Sequence, residues 1–373
     1  VNKELQDIIT QFQRLESAAA KTVLATVVDV KGSSYRLPGA RMLIGENGEI
    51  FGTVSGGCLE ADVLERSRRV LQTGAPEVFT YDTTAQEDSV FSLNMGCRGV
   101  IRILLERPTG DFINFFRELY EKHQSGLVAT LIKTDAGNES GFKVGQRLLF
   151  NNVNLMANDF TPPVTQEIFQ ECLTAWREKR SKILPTEIGE FFLEYIESPV
   201  SLILFGAGFD AVPVYETAKI LGWRVIVVDH RAAYANRERF PKADEIIVAR
   251  PENIAGTLAI GENTVAVVMT HNYEHDKNIL RFLFNFNLRY VGALGPRRRA
   301  KNILAEWRDA GENISISQIE NLYAPIGLDI GADTPESIAL SIIAEIKSVL
   351  SDRRGGFLRE REGSIYNRNA VET

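Results

Sequence analysis

The apolar positions along this chain follow two regimes. In the first, Leu5, Ile8, Ile9, Phe12 and Leu15 recur at three- and four-residue intervals and predict an opening helix over 4–20. Residues 22–30 (TVLATVVDV) are rich in β-branched side chains and predict a strand. A turn through Leu37-Pro38-Gly39 leads to a second strand over 41–44, and Glu46-Asn47-Gly48-Glu49 reads as a hairpin turn into a third over 50–54. Leu59, Val63, Arg66 and Val70 are spaced for a helix, which puts Cys58 at or just inside a helix N-terminus. Further strands are expected over 100–105, 128–133, 147–150 and 190–196, with helices over 112–122 and 167–179. No internal repeat is evident in this pattern.

The second regime begins at Ser198-Pro199. Strands over 200–205, 223–229, 263–269 and 289–293 alternate with helical segments such as 208–221, which implies a parallel sheet with crossover helices. Thr334-Pro335-Glu336 opens the last long helix, with Thr334 as its N-cap and Pro335 in the first turn. The expected fold is α/β: an N-terminal α+β domain over 1–197, a Rossmann-like parallel-sheet domain over 198–350, and a flexible or partner-held tail over 351–373.

Composition narrows the class. Of 373 residues, 44% are hydrophobic and 24% charged, the balance of an ordinary globular protein. The net charge of −7 argues against nucleic acid or an anionic membrane as partner. No apolar run approaches the roughly 20 residues a bilayer-crossing helix requires. Three cysteines without regular spacing do not make a disulfide framework, and the opening Val1-Asn2-Lys3-Glu4 has no leader core, so a reducing cytoplasm is the expected compartment.

Candidate chemistry lies in both halves. Leu202 to Ala211 (LILFGAGFDA) fits a strand–GxGxxA–helix fingerprint. Gly206 serves the tight turn, Gly208 the close approach of backbone to an anion, and Ala211 the helix–strand packing. Asp229 ends the next strand, where an acid can take ribose hydroxyls, and His230 and Arg231 follow it directly. Asp210 would set a second negative charge where a pyrophosphate arrives. His271 and His275 follow the strand over 263–269; their spacing suits one helix face, but capping is expected there rather than a metal. Arg297, Arg298 and Arg299 open a helix after Gly292-Ala293-Leu294-Gly295-Pro296, a basic cluster suited to phosphate or to solvent. In the front half, two cysteines sit in glycine turns: Gly56-Gly57-Cys58 and Gly96-Cys97-Arg98-Gly99. A helix N-terminus beside Cys58 and the guanidinium of Arg98 beside Cys97 would each favour a thiolate. The spacing leaves open a disulfide, a shared ligand or no contact.

Gly32-Ser33-Ser34-Tyr35-Arg36 with Pro38-Gly39-Ala40, the segment Val54 to Glu60, and Gly96 to Val100 resemble the front domain of XdhC/CoxI proteins, the xanthine dehydrogenase accessory factors. Phe205-Gly206-Ala207-Gly208, Val228 to Arg231, Met269-Thr270-His271, Tyr290 to Arg298 and Pro325 to Gly331 resemble the rear domain of the same family. The resemblance runs over both domains, roughly 20 to 350. It implies a non-catalytic chaperone that binds molybdenum cofactor, a pterin dithiolene with phosphate and in some forms an appended nucleotide. It further implies work with a cysteine desulfurase, delivery to an apo molybdenum hydroxylase, and homodimerisation to shield the cargo. On this reading Gly56, Gly57, Cys58, Gly96, Cys97 and Arg98 meet the metal end, with Cys58 and Cys97 as molybdenum-proximal thiols. Gly206, Gly208, Asp229, His230, Arg231, His271, Arg297 and Arg298 hold the phosphate or nucleotide end. The competing reading is an NAD(P)-dependent oxidoreductase using the Gly206 to Asp229 unit with His271 for proton transfer. A third is a scaffold that docks partners without cofactor.

Overall fold

The computed structural model describes residues 2–82, 99–135, 141–161 and 163–362, and the chain divides into two units, Val1–Ser198 and Pro199–Thr373. Cys97, with Gly96 and Arg98, lies outside the described residues.

The first unit contains α1 (Asn2–Ser17), β1 (Thr22–Gly32), β2 (Arg41–Gly45), β3 (Ile50–Gly52), α2 (Glu60–Thr73), β4 (Glu77–Asp82) and β5 (Gly99–Glu106). The same order then recurs as α3 (Gly110–Glu121), β6 (Gly126–Thr134), β7 (Arg147–Asn151), β8 (Asn154–Asn158), α4 (Gln166–Glu178), β9 (Lys182–Thr186) and β10 (Gly189–Ile196). Each set forms a five-stranded antiparallel sheet, in the orders β3-β2-β1-β5-β4 and β8-β7-β6-β10-β9. The unit is therefore built twice, and the expectation of no internal repeat is overturned. What recurs is position in the core, with little identity of residue. Val23, Ala25, Met42 and Ile44 under α2 correspond to Leu127, Ala129, Leu148 and Phe150 under α4. Along the covering helices, Val63, Ser67 and Val70 correspond to Ile168, Cys172 and Ala175.

The opposite faces of the two sheets meet at Val28, Leu104, Ile132 and Phe192, while α1 and α3 close a further cluster over Leu24, Leu43, Val128 and Leu149. With both faces covered, β1 reads as a near-continuous apolar run rather than an alternation. The two copies are tied crosswise. Arg41 on β2 makes a bidentate, buried ion pair with Glu194 on β10, and Arg147 on β7 reaches Glu106 on β5 at 2.5 Å. Arg41 also stacks on Phe116 (4.7 Å) and Arg147 on Phe112 (3.8 Å), so each guanidinium is enclosed in the same way.

The second unit is a six-stranded parallel sheet with the order β13-β12-β11-β14-β15-β16. Its strands are β11 (Ser201–Phe205), β12 (Arg224–Asp229), β13 (Glu245–Val248), β14 (Thr264–Val268), β15 (Val291–Ala293) and β16 (Leu322–Tyr323). Counted from the first strand this is 3-2-1-4-5-6, the dinucleotide-fold order, with its switch point between β11 and β14. Helices α5 (Ala211–Ile220) and α9 (Pro335–Leu350) cover one face. Helices α6 (Tyr273–Leu283) and α7 (Arg297–Asp309) cover the other. A short helix, α8 (Ile316–Glu320), leads into β16. The α5 helix starts later than its apolar spacing predicts, because residues 206–210 form the glycine turn. Thr334 caps α9 as expected, accepting from Ser337 N with Pro335 in the first turn. The short edge strands β13 and β16 carry too few residues for a pattern to declare itself. The first residues of the expected tail lie on their own unit: Asp352 pairs with Arg289 at 2.8 Å, and Gly355 sits against Leu328.

Candidate functional site

In the first unit, the turn between β3 and α2 carries Cys58. Gly56 (φ +88) and Gly57 (φ +118) adopt left-handed conformations that turn successive N–H groups to one side. The carboxylate of Glu60, in the first turn of α2, occupies that concavity. It accepts from the backbone N–H of Val54 (3.2 Å), Ser55 (2.9 Å), Gly56 (3.2 Å) and Gly57 (2.9 Å), and from the hydroxyls of Thr53 (2.5 Å) and Ser55. Partial burial alone would push this carboxyl up, but the hydrogen bonds from Ser55, Thr53 and the backbone outweigh it and hold it at about 2. Ser55 Oγ in turn accepts from Leu59 N at 2.8 Å, and the Leu59 side chain is fully buried.

Cys58 thus stands one residue before the N-cap Leu59, exposed, between two anchored neighbours. The N–H groups of the turn, expected to be free for a thiolate, are bonded to Glu60. Cys172 is buried in α4, and burial pushes its thiol up to about 12, so it is chemically quiet.

Of the other front-domain segments named from the sequence, the one carrying Tyr35 meets this turn, and the one carrying Gly99 meets the end of β1. A Cβ on Gly56 would stand 2.6 Å from the ring of Tyr35, so the glycine lets that exposed ring lie against the backbone. Gly99 pairs with Gly32 at the end of β1 and leaves no room for a side chain against the carbonyls of Lys31 and Ser33.

In the second unit, the carboxyl ends of β11, β12, β14 and β15 surround the switch point. Gly206 (φ +103) brings the first turn so close to β14 that a Cβ would lie 2.4 Å from the Met269 carbonyl oxygen. Asp229 is buried at the end of β12. It receives Ala207 N (2.8 Å), Arg231 N (2.9 Å), Arg231 Nε (2.9 Å) and Arg231 Nη2 (2.7 Å), two donors on each oxygen. Burial raises its carboxyl, but the Arg231 side chain and the two backbone donors dominate and bring it to about 2. The acid that a dinucleotide fold offers to ribose is saturated here by its own chain. Arg231, which would otherwise carry positive charge to the adenosine side, is folded onto it and stacked on Tyr234 at 4.1 Å.

Asp210 leans over Gly208, where a Cβ would meet its carboxylate at 2.4 Å, and pairs with His271 Nε2 at 2.7 Å. A carboxylate therefore stands at the backbone approach a phosphate would use. Arg239 holds the same turn from behind through the carbonyls of Ala207 (2.9 Å) and Gly208 (3.1 Å). His230 and His275 stack edge to face at 4.9 Å beside a shallow cleft lined by the apolar side chains of Phe205, Val228 and Ile254. Of the three arginines opening α7, Arg299 turns inward to buried Asp276 (2.9 Å), while Arg297 and Arg298 are exposed. Burial pushes Asp276 up, against the pull of Thr270 and Arg299. Among the described residues, no three His, Cys, Asp or Glu side chains are grouped to hold a metal, and no helix is long and apolar enough to cross a membrane.

Glu60, Arg239 and Asp276 received no role from the sequence, and Arg299, expected in a basic cluster suited to phosphate, is instead paired with Asp276. Glu60 had a local signal: an acid two residues after a glycine-flanked cysteine at a helix start. Arg239 and Asp276 depend on long-range packing that no spacing discloses.

Residues 202–346 match the model of the XdhC Rossmann domain, and residues 15–82 match that of the XdhC and CoxI family. A Bacillus subtilis protein described as a probable xanthine dehydrogenase subunit is 35% identical, over 90% of this chain and 96% of its own. This chain belongs to the XdhC and CoxI family. Among the family's relatives, the molybdenum cofactor insertion chaperone PaoD of Escherichia coli is 22% identical over 88% of this chain and 83% of its own. The crystal structure of a Bacillus halodurans protein described as a xanthine dehydrogenase superposes with a TM-score of 0.75 at 28% identity, covering 93% of this chain and 96% of that one. The likeness spans both units, so the XdhC and CoxI architecture is shared over nearly the whole length.

Proposed function

We propose that this chain is an accessory factor that binds molybdenum cofactor and assists its sulfuration and insertion into a xanthine dehydrogenase-type molybdenum hydroxylase. The observation that carries the reading is the exposed Cys58 thiol on a braced glycine turn, in a chain similar over nearly its whole length to a protein named as a molybdenum cofactor insertion chaperone. A molybdenum centre arrives with the dithiolene sulfurs of its own pterin, so the protein need add only a soft donor, which a thiolate is. The same thiolate can take the outer sulfur of a persulfide by attack on the S–S bond, the donor cysteine leaving as thiolate. That supports a cysteine desulfurase as partner; Cys97 as the second thiol of the site and a homodimer to shield the bound cofactor belong to the same proposal. His230, Arg297 and Arg298, at the carboxyl end of the second unit's sheet, are assigned to the phosphate or nucleotide part of the cargo, while Asp210 occupies the approach over Gly208 and pairs with His271. The saturated Asp229 and the Asp210 carboxylate over Gly208 weigh against an NAD(P)-dependent oxidoreductase.

The test is co-expression with cofactor synthesis, followed by molybdenum and pterin analysis of the pure protein. Similar molar amounts of both are expected, falling at least tenfold in the Cys58→Ala, Cys97→Ala double variant. Unchanged loading together with unchanged activation of the hydroxylase would overturn the thiol role. Bound NAD(P), or turnover of NAD(P)H, would favour the oxidoreductase reading.

A further inference from the structure

Glu60 makes far more contacts than a first-turn acid needs. An acidic side chain near a helix N-terminus already complements the dipole, and Asp62 supplies one in the same turn. Glu60 instead reaches out of its helix and gathers the loop that precedes it: four backbone N–H groups and two hydroxyls converge on one carboxylate. These contacts fix Gly57 on one side of Cys58, and the Ser55 hydroxyl, itself bonded to Glu60, fixes Leu59 on the other.

The repeated architecture supplies an internal control. The second copy's segment between β8 and α4 has no glycine pair; its first-turn acid, Glu167, stands one position further into the helix than Glu60 does, and its loop carboxylate, Asp159, accepts from Arg147 N at 3.2 Å instead. Pro163 and Val164 precede the N-cap Thr165, and α4, like α2, has no side-chain cap from its N-cap residue. The same sheet and helix thus form without the brace. The brace occurs in the copy that bears the exposed Cys58.

We propose that Glu60 is the positioning residue of the Cys58 turn, its carboxylate filling a backbone anion nest so that the thiol is presented outward in one fixed direction and foreign anions are kept from the nest. This rests on reading Cys58 as the working thiol. Within that reading, Glu60 is an internal stand-in for an anion. Its removal leaves a set of convergent donors that a small carboxylate from solution can refill. Removal also releases the backbone of Ser55, Gly56 and Gly57, so the thiol is no longer held in one direction and a reagent can reach it from more sides.

The experiment follows alkylation of Cys58 by iodoacetamide, a neutral reagent, in the full-length chain, with peptide mass mapping to separate it from Cys97 and Cys172. Glu60→Ala is expected to react at least threefold faster than the unaltered protein at pH 7.5. Formate at tens of millimolar should restore a rate within twofold of the unaltered protein, whose own rate formate leaves unchanged. Equal rates in Glu60→Ala and the unaltered protein, or a raised rate indifferent to formate, would overturn the proposal. Should Glu60→Ala fail to fold, Glu60→Gln keeps the side-chain volume but sets an amide NH2 against donors. It is then expected to raise the rate without formate rescue, and an unchanged rate would overturn the proposal equally. Because the readout is thiol reactivity without cofactor, failure here is separate from failure of cofactor loading.

Discussion

Glu60 and Asp229 meet the same physical problem at the single-residue level. Each is a partly or largely buried carboxylate whose desolvation is outweighed by donors from its own turn, and each is held at about 2. The folded value lies below the ordinary one of 4.5 or 3.8, so the stabilisation is fully present above the ordinary value and is lost as pH falls towards 2. Melting temperature measured from pH 6 down to pH 2 should fall below about pH 4.5. The fall should be shallower in Glu60→Gln and in Asp229→Asn; parallel curves would show that these carboxylates do not carry it. At this scale the sequence was half legible. The glycines around Cys58 and the acid at the end of β12 were visible as types. Their partners were not, because four of the six donors on Glu60 and two of the four on Asp229 are backbone N–H groups, whose direction no residue letter records.

Among the elements, the second unit was the more readable. Alternating strands and helices, the glycine fingerprint and the Thr334 cap are local signals, and they predicted the parallel sheet and the start of its last helix; the strand order and switch point came only with the structure. Gly206 is where that geometry is tightest. Gly206→Ala would impose a side chain at φ +103 and press it against the Met269 carbonyl at 2.4 Å, a cost on the order of 3 kcal/mol. Hydrogen exchange of the β11 and β14 amides should accelerate accordingly. The Gly57→Ala change has nothing within 4 Å of the added carbon, so only backbone strain counts, and its effect should be smaller and confined to the front unit. The front unit was harder to read. Its two copies share burial positions while differing in side chain, as with Ser67 against Cys172, and their turns differ in composition, so the residues alone offer nothing to align.

On the scale of the whole front unit, the crosswise pairs Arg41–Glu194 and Arg147–Glu106 distinguish its two halves from two domains in tandem. Removing one member leaves a buried guanidinium without its counter-charge, which costs about 3–5 kcal/mol. Glu194→Ala should therefore destabilise the unit by that amount. The protection of β2 in the first copy should fall together with that of β10 in the second, as read by hydrogen exchange. Loss confined to β10 would mean that the halves hold independently.

The short link 107–109 joins two copies that each keep the other's charge. Each half has a core of its own under α2 or α4, but its other face is unfinished: the Arg41 guanidinium of one is paired by Glu194 of the other, and the inner faces of both sheets are surfaces until they meet. The link contributes no buried apolar contact to this union. The front unit is in this respect a split protein whose fragments happen to be joined by a peptide, with complementation written into its charges.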